Sequence, residues 1–397
     1  MRSIDLIEHE DTEVELTATQ YEAIRALDSI AVTPLFSGRY RLNPRGKVGA
    51  IRLGNLQLVL HPKVTELRRI PFLLGFHTGG DVWRSEFVRL EAVSGFSTAF
   101  AESFVQLASR ALARGPLRRY RTETTVSAIP TGRMRVREQA TRQFGVAVPI
   151  HIERDEYTVD TAENQILLAA TRLLQGLPEL PVATLRKLRK ITQSLQDVRI
   201  LSRSEPRPPL VFDRGNRTYH DVLRLSLVIL DGGSFALGEG TLTVRAFLFD
   251  MWRIYEDFVT GALRAAIAPC GFRVAMQDQH LLTTNSTIRL RPDLVCYDAA
   301  GTPAAVIDAK YKVERGGGRN RTYPEADIYQ MLAYCAVLGL PEGHLVYARG
   351  HEPESVHPIR NCGITIHCHA LDLALEPDTM IEHIDALAAR ILRNSQG

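Results

Sequence analysis

Apolar residues recur along this chain with two periods, and each change of period marks a new element. In the first part the spacing is that of strands. Val48–Leu53 and Leu56–Leu60 are apolar-rich runs separated by Gly54-Asn55, a two-residue hairpin signal. Thr17–Leu27 reads as a helix: Thr17 and Gln20 have capping-box spacing, and Tyr21, Ile24 and Leu27 follow at helical intervals. From Phe87 to Arg114 the period is again helical, with Phe96, Phe100, Phe104, Leu107 and Leu112 near one turn apart, until Gly115-Pro116 stops it. An Arg-rich, β-like section follows. Asp160-Thr161-Ala162-Glu163 then opens a helix that Asp160 or Thr161 can cap, with Ile166, Leu167, Ala170, Leu173 and Leu174 as its buried stripe. Ser204–Pro209 reads as a loop leading to an apolar helix, His220–Leu230, closed by Gly232-Gly233.

The last section begins near Leu242. Phe247–Ala266 is predicted helical, with Leu248, Trp252, Tyr255, Val259 and Leu263 along one face. Two strands, Ile288–Tyr297 and Ala304–Val313, are joined by the turn Asp298-Ala299-Ala300-Gly301. A helix at Ala326–Leu338, strands at His344–Ala348 and Gly363–His369, and a helix at Asp378–Leu392 complete the pattern. The expected architecture is multidomain α/β. A β-rich N-terminal domain covers 1–86 and a mixed helical and β middle region covers 87–241. An α/β domain with a mixed sheet flanked by helices covers 242–397.

Composition narrows the class without naming it. With 45% hydrophobic and 23% charged residues, the chain has an ordinary globular make-up rather than a disordered one. Its net charge of +3 says less than the charge distribution. Arg110–Arg142 holds nine Arg against two Glu, and Arg186–Arg207 holds seven Lys or Arg against two acids. Such an excess suits a polyanion or forms a solvated, Arg-rich surface. Five cysteines without C-x-x-C spacing argue against a disulfide framework or structural zinc and for a reducing compartment. There is no apolar signal core and no run approaching 18 apolar residues, so the expectation is a cytoplasmic protein with no membrane span. His367 and His369 flank Cys368 without a second ligand pair nearby, and read as scattered polar positions. No Gly-Lys-Ser/Thr follows Gly316-Gly317-Gly318, so that loop is not a phosphate-binding Walker loop, and no other nucleotide motif occurs.

The chemistry concentrates in Arg291-Pro292-Asp293-Leu294-Val295 and Val306-Ile307-Asp308-Ala309-Lys310. A hairpin centred on Ala300 and Gly301 sets Asp293 opposite Asp308, and Lys310 shares the strand face of Asp308. Two carboxylates beside apolar neighbours suit Mg2+, with Mn2+ as the alternative ion, and a lysine there can orient water or stabilise charge developing on phosphorus.

That pattern, Asp293 followed by Asp308-Ala309-Lys310, resembles the PD-(D/E)xK nuclease superfamily. The resemblance implies a third metal-binding acid on the preceding helix, Glu256, and catalytic roles for Asp293, Asp308 and Lys310. Gln330 and Tyr334, at i and i+4, look like the Gln-x-x-x-Tyr element of RecB-like nucleases and add Gln330 to the catalytic set. Asp327-Ile328-Tyr329-Gln330-Met331 after a Gly- and Arg-rich loop narrows the likeness to the McrC family. So do Ile129-Pro130-Thr131-Gly132-Arg133, Asp160–Asn164 and Leu60-His61-Pro62-Lys63. McrC proteins are nuclease subunits of modified-cytosine restriction systems. By that resemblance the chain cuts double-stranded DNA bearing modified cytosine and docks through residues before Phe87 onto a McrB-like AAA+ GTPase hexamer. GTP is then used only through that partner. Arg291, Lys312, Arg315, Arg319, Arg321 and Tyr334 are the candidate DNA contacts. A stand-alone RecB-like repair nuclease and a non-catalytic DNA-binding adaptor are the alternatives.

Overall fold

The computed structural model describes the chain except residues 1, 28, 66–68, 71, 74–95, 130, 143–147, 178–179, 203–204, 233–243, 284, 286, 312–324, 349–353 and 395–397. Contacts divide it into two compact units: Met1–Ser103 with Leu177–Glu179 and Asp231–Gly397, and Phe104–Gly176 with Leu180–Leu230. The expected segments 1–86 and 242–397 thus fall in one unit.

A strand placed far along the chain makes this join. Phe247–Asp250, expected as the start of a helix, instead belongs to the strand Val244–Asp250, and the helix is Met251–Ile267. The strand pairs antiparallel with Lys47–Leu53 from Val244↔Leu53 to Asp250↔Lys47. Hydrogen bonding to a strand some 200 residues earlier overrides a local period too short to separate strand from helix. Gly49 permits the approach. Its φ is +133°, and a Cβ there would lie 2.1 Å from the Phe247 carbonyl oxygen. Leu56–His61 pairs antiparallel with Lys47–Leu53, as the Gly54-Asn55 signal predicts, and parallel with Arg2–Ile7. The helix Ala18–Arg25 carries the expected capping box from Thr17 and Gln20.

The mixed sheet expected of the C-terminal part is present. Its strand order is Arg273–Met276, Leu294–Tyr297, Pro303–Lys310, Glu342–Ala348, Thr365–Leu371, Ser355–Pro358. The central pairings of Pro303–Lys310 with Glu342–Ala348, and of the latter with Thr365–Leu371, are parallel; the outer ones are antiparallel. One face buries Val295, Val306, Leu345 and Ile366 against Met331, Tyr334 and Cys335 of the helix Glu325–Leu338. Each such fully buried apolar side chain contributes about 1.5–3 kcal/mol. The helices Met251–Ile267 and Pro377–Asn394 pack on each other and on the Pro303–Lys310 strand. The expected strand Ile288–Tyr297 is interrupted at Arg291-Pro292: Arg289–Leu290 pairs with His280–Leu281, and only Leu294–Tyr297 enters the large sheet.

In the other unit, Arg119–Ser127 pairs along its whole length with Ile150–Thr158, and Ala162–Gln175 is the helix capped by Thr161. Part of the basic charge is met by acids. Arg119 pairs with Glu163 and Asp213, Arg121 with Asp160, and Arg199 with Glu205. Among the described residues no helix is long and apolar enough to cross a membrane.

Candidate active site

The hairpin register places the two aspartates. Leu294 pairs with Ile307 and Val295 with Val306, the register of a turn centred on Ala300 and Gly301, with an irregularity only at Cys296/Tyr297. Asp293 lies one residue before its strand and Asp308 near the end of the partner strand. Both are buried, at 7% and 2% exposure. Asp293 Oδ2 accepts the Ala309 backbone N–H at 2.8 Å, tying the loop to the strand across the expected pair.

Lys310 is fixed from two sides. Its Nζ makes an ion pair with Asp308 and donates to Gln330 Oε1 at 2.9 Å. Gln330 Nε2 in turn donates to the Tyr334 hydroxyl at 2.6 Å, which makes a long bond of 3.5 Å to the Arg291 carbonyl. The helix that carries both residues sits close to the sheet because Gly343 has no side chain. A Cβ there would meet Met331 and Cys335 at 2.6 Å. The Tyr347 hydroxyl donates to Asp327 at 2.9 Å and pins the first turn of that helix.

A residue that no motif marks completes the cluster. Gln277 follows the strand Arg273–Met276 in a left-handed conformation, φ +52°. Its Nε2 donates to Glu256 Oε1 at 2.6 Å and to Asp293 Oδ1 at 2.8 Å, and its backbone N–H donates to the Asp293 carbonyl. A non-glycine residue with φ above zero persists where its surroundings require it, and here the amide holds two carboxylates together. The positive φ is visible only in the structure, so the sequence carried no signal for this residue.

The electrostatics are those of crowded like charges. Burial, then the neighbouring Glu256, raises Asp293 to about 6; burial, then Asp293, raises Asp308 to about 6. Burial also raises Glu256. For Lys310 burial favours the neutral form, but Asp308 and Asp293 outweigh it and hold the ammonium charged.

Among the described residues no three His, Cys, Asp or Glu side chains form a ready-made metal cage. Glu256 reaches the cluster from the helix Met251–Ile267: Gln277 bridges it to Asp293, and it interacts electrostatically with Asp293, Asp308 and Lys310. Asp293 and Asp308 nonetheless fit Mg2+, which takes one or two carboxylates and fills its remaining positions with water and phosphate oxygens. A divalent cation held there would offset the neighbouring negative charge that, after burial, raises both carboxyls.

The remaining expected residues separate into three groups. Arg291 is exposed at the rim, its Nε donating to the Gln277 carbonyl at 3.3 Å. Tyr334, expected to touch DNA, is only 3% exposed and bonds inward to Gln330, so its place is in supporting the site. Lys312, Arg315, Arg319 and Arg321 lie outside the described residues. Away from the site, His367 and His369 are not scattered. They stack with His344, whose Nδ1 lies 3.1 Å from His369 Nε2, and burial lowers His369 to about 4.

A family model described as McrBC 5-methylcytosine restriction system component matches residues 42–348. No curated protein matches the chain. A solved half-complex from a tetradecameric assembly of Thermococcus gammatolerans McrB AAA+ hexamers with bound McrC aligns over 99% of this chain and 99% of that one, at 15% identity and a TM-score of 0.56. At that identity the likeness is one of fold. A cryo-EM structure of the Thermococcus gammatolerans McrBC complex aligns over 66% of this chain and 88% of that one, at 15% identity and a TM-score of 0.44. The match over most of its length, together with the sheet and its acidic cluster, places the chain in the family of McrBC 5-methylcytosine restriction system components.

Proposed function

We propose that the chain is the DNA-cleaving, McrC-type subunit of its restriction system, hydrolysing phosphodiesters at Asp293, Asp308 and Lys310. The observation that carries this reading is the pair of aspartates, raised by burial and by neighbouring negative charge, with Lys310 held beside them. A salt bridge kept for stability pairs opposite charges; this cluster gathers two or three acids around one lysine.

The chain's own groups divide the work. Asp293 and Asp308 would hold Mg2+, and Glu256 adds negative charge from the adjoining helix. When bound, the ion polarises the scissile phosphate and lowers the pKa of water. Lys310, oriented by Asp308 and Gln330, directs its ammonium to the attacking water or to a phosphate oxygen as charge develops. Gln277 and the Ala309 N–H keep Asp293 in register for that task. Arg291 at the rim is placed to meet the phosphate backbone.

The partner follows from the family and from the assembly in which the related fold is found, McrB AAA+ hexamers with bound McrC. The chain is then loaded onto DNA bearing modified cytosine by a McrB-like GTPase hexamer, and it uses GTP only through that partner. Reconstitution tests this. Double-strand cleavage should require Mg2+, GTP, the partner and methylated DNA, and should vanish in Asp293→Ala and Lys310→Ala while partner binding persists. Normal cleavage by both variants would put the chemistry elsewhere.

A further inference from the structure

We infer that Tyr311 and Glu8 are positioning residues for Lys310, forming a latch through which the N-terminal sheet sets the end of the catalytic strand. The inference rests on the proposed nuclease site and concerns how that site is held. Tyr311 is the residue after Lys310, where the strand Pro303–Lys310 stops. Its hydroxyl donates to Glu8 Oε2 at 2.7 Å, across 303 residues of sequence. Glu8 follows the strand Arg2–Ile7, and its backbone N–H donates to the His61 carbonyl at 2.9 Å. The acid therefore belongs to the rigid edge of the N-terminal sheet.

Three observations make this more than a chance contact. Glu8 is fully buried, at 0% exposure, and its Oε1 has no hydrogen-bond donor among the described residues, with His9 Nε2 3.6 Å away. A buried carboxylate with one oxygen outside any hydrogen bond is costly, and an apolar residue would fill the space at lower cost. What the carboxylate gains is a charge-assisted bond to Tyr311, supported by a long contact of 3.5 Å from the Lys63 N–H. Second, Tyr311 is held on its other side by Tyr255, with ring centroids 5.9 Å apart. The Tyr255 hydroxyl bonds to the Val346 carbonyl on the adjacent strand. Tyr311 is thus wedged between the N-terminal sheet and the catalytic sheet.

The third observation is a second link from the same sheet, to the helix that carries Glu256. Lys47 pairs with Asp250 at 2.7 Å, and the Met251 N–H donates to the Gly46 carbonyl at the start of the helix bearing Glu256. The N-terminal sheet therefore holds the origin of the Glu256 helix and the terminus of the Lys310 strand at once. A shift of that sheet would move Lys310 relative to the acids, and a displacement of about 0.5–1 Å is enough to impair a site of this kind.

The test uses the full chain with Tyr311→Phe, which removes only the hydroxyl, and Glu8→Gln, whose amide oxygen still accepts the bond. Two readouts are needed: hydrogen exchange at the Ala309–Tyr311 amides of the isolated chain, and single-turnover cleavage with partner, GTP and Mg2+ at saturating DNA. Tyr311→Phe should speed exchange at those amides and lower the cleavage rate about 10- to 100-fold, with DNA affinity unchanged. Glu8→Gln should retain most of the wild-type rate. Unchanged exchange and an unchanged rate in Tyr311→Phe would overturn the latch. A bond of purely structural worth would lower the melting temperature and leave the rate intact, which also counts against it. If the wild type fails to cut DNA, the nuclease reading fails, while faster exchange in Tyr311→Phe would still establish the latch on the strand.

Discussion

Glu163 and Asp308 are both buried carboxylates, 4% and 2% exposed, in opposite surroundings. Burial alone would raise Glu163, but Asn216 and Arg119 donate to it and hold it below the usual carboxylate range. Asp308 also has a cation, Lys310, yet rises to about 6 because burial and Asp293 outweigh that partner. The first acid is matched with donors and braces a helix start against a strand and a loop. The second is crowded with its own kind. The difference teaches that the cost left unrelieved marks where a ligand belongs, since an arrangement selected for stability alone would have paired these charges.

The comparison breaks first at activity. Asp308→Ala should lower cleavage by at least about 10²–10³-fold in the reconstituted complex, as loss of a principal electrostatic group does. Glu163→Ala should leave the rate per folded molecule unchanged. Instead it should destabilise its own unit by about 1–3 kcal/mol in denaturant titration, discounted because Arg119 is 40% exposed. Equal rate losses in the two variants would erase the distinction.

Next in size is the linkage to metal and pH. Both site aspartates are protonated more readily folded than unfolded, so in chelator they add stability below about pH 4 and that contribution is lost as pH rises through about 6. Cation binding needs the charged forms. Mg2+ at about 100 times its Kd should therefore stabilise the protein by about 2.7 kcal/mol at pH 8, with the gain shrinking through pH 6 and gone near pH 5. Calorimetry with and without chelator would show this. A Mg2+ effect that is independent of pH, or that survives in Asp308→Asn, would exclude these ligands.

A smaller effect belongs to Gln277. Replacing it with Ala frees Glu256 and Asp293 to separate, and should weaken the Mg2+ dependence of cleavage about 10-fold while cleavage at saturating Mg2+ falls less. A Mg2+ titration of the rate reads this directly. Smallest is Arg121→Ala: its pair with Asp160 joins a guanidinium 61% exposed, and the change should cost no more than about 0.5 kcal/mol in denaturant titration.

Much of the site was legible because its logic is local. The alternation in Val306–Lys310 and the turn at Ala300-Gly301 fix the register, and the aspartates sit where that register requires. What escaped depends on contacts distant in sequence. Val244–Asp250 looks helical until Lys47–Leu53 supplies its partner. Arg119 and Arg121 look like part of a polyanion surface until Glu163, Asp160 and Asp213 are seen beside them. Gln277 belongs to no motif, since its role comes from a left-handed backbone that carries its amide between two acids.

The most direct test is single-turnover cleavage of methylated DNA by the assembled complex with GTP, comparing wild type with Lys310→Ala as Mg2+ is added to chelated protein. The account predicts cleavage that appears with Mg2+ in the wild type and stays absent in Lys310→Ala, although both complexes assemble and hydrolyse GTP alike. Cleavage by Lys310→Ala at the wild-type rate, or by the wild type in chelator, would contradict it.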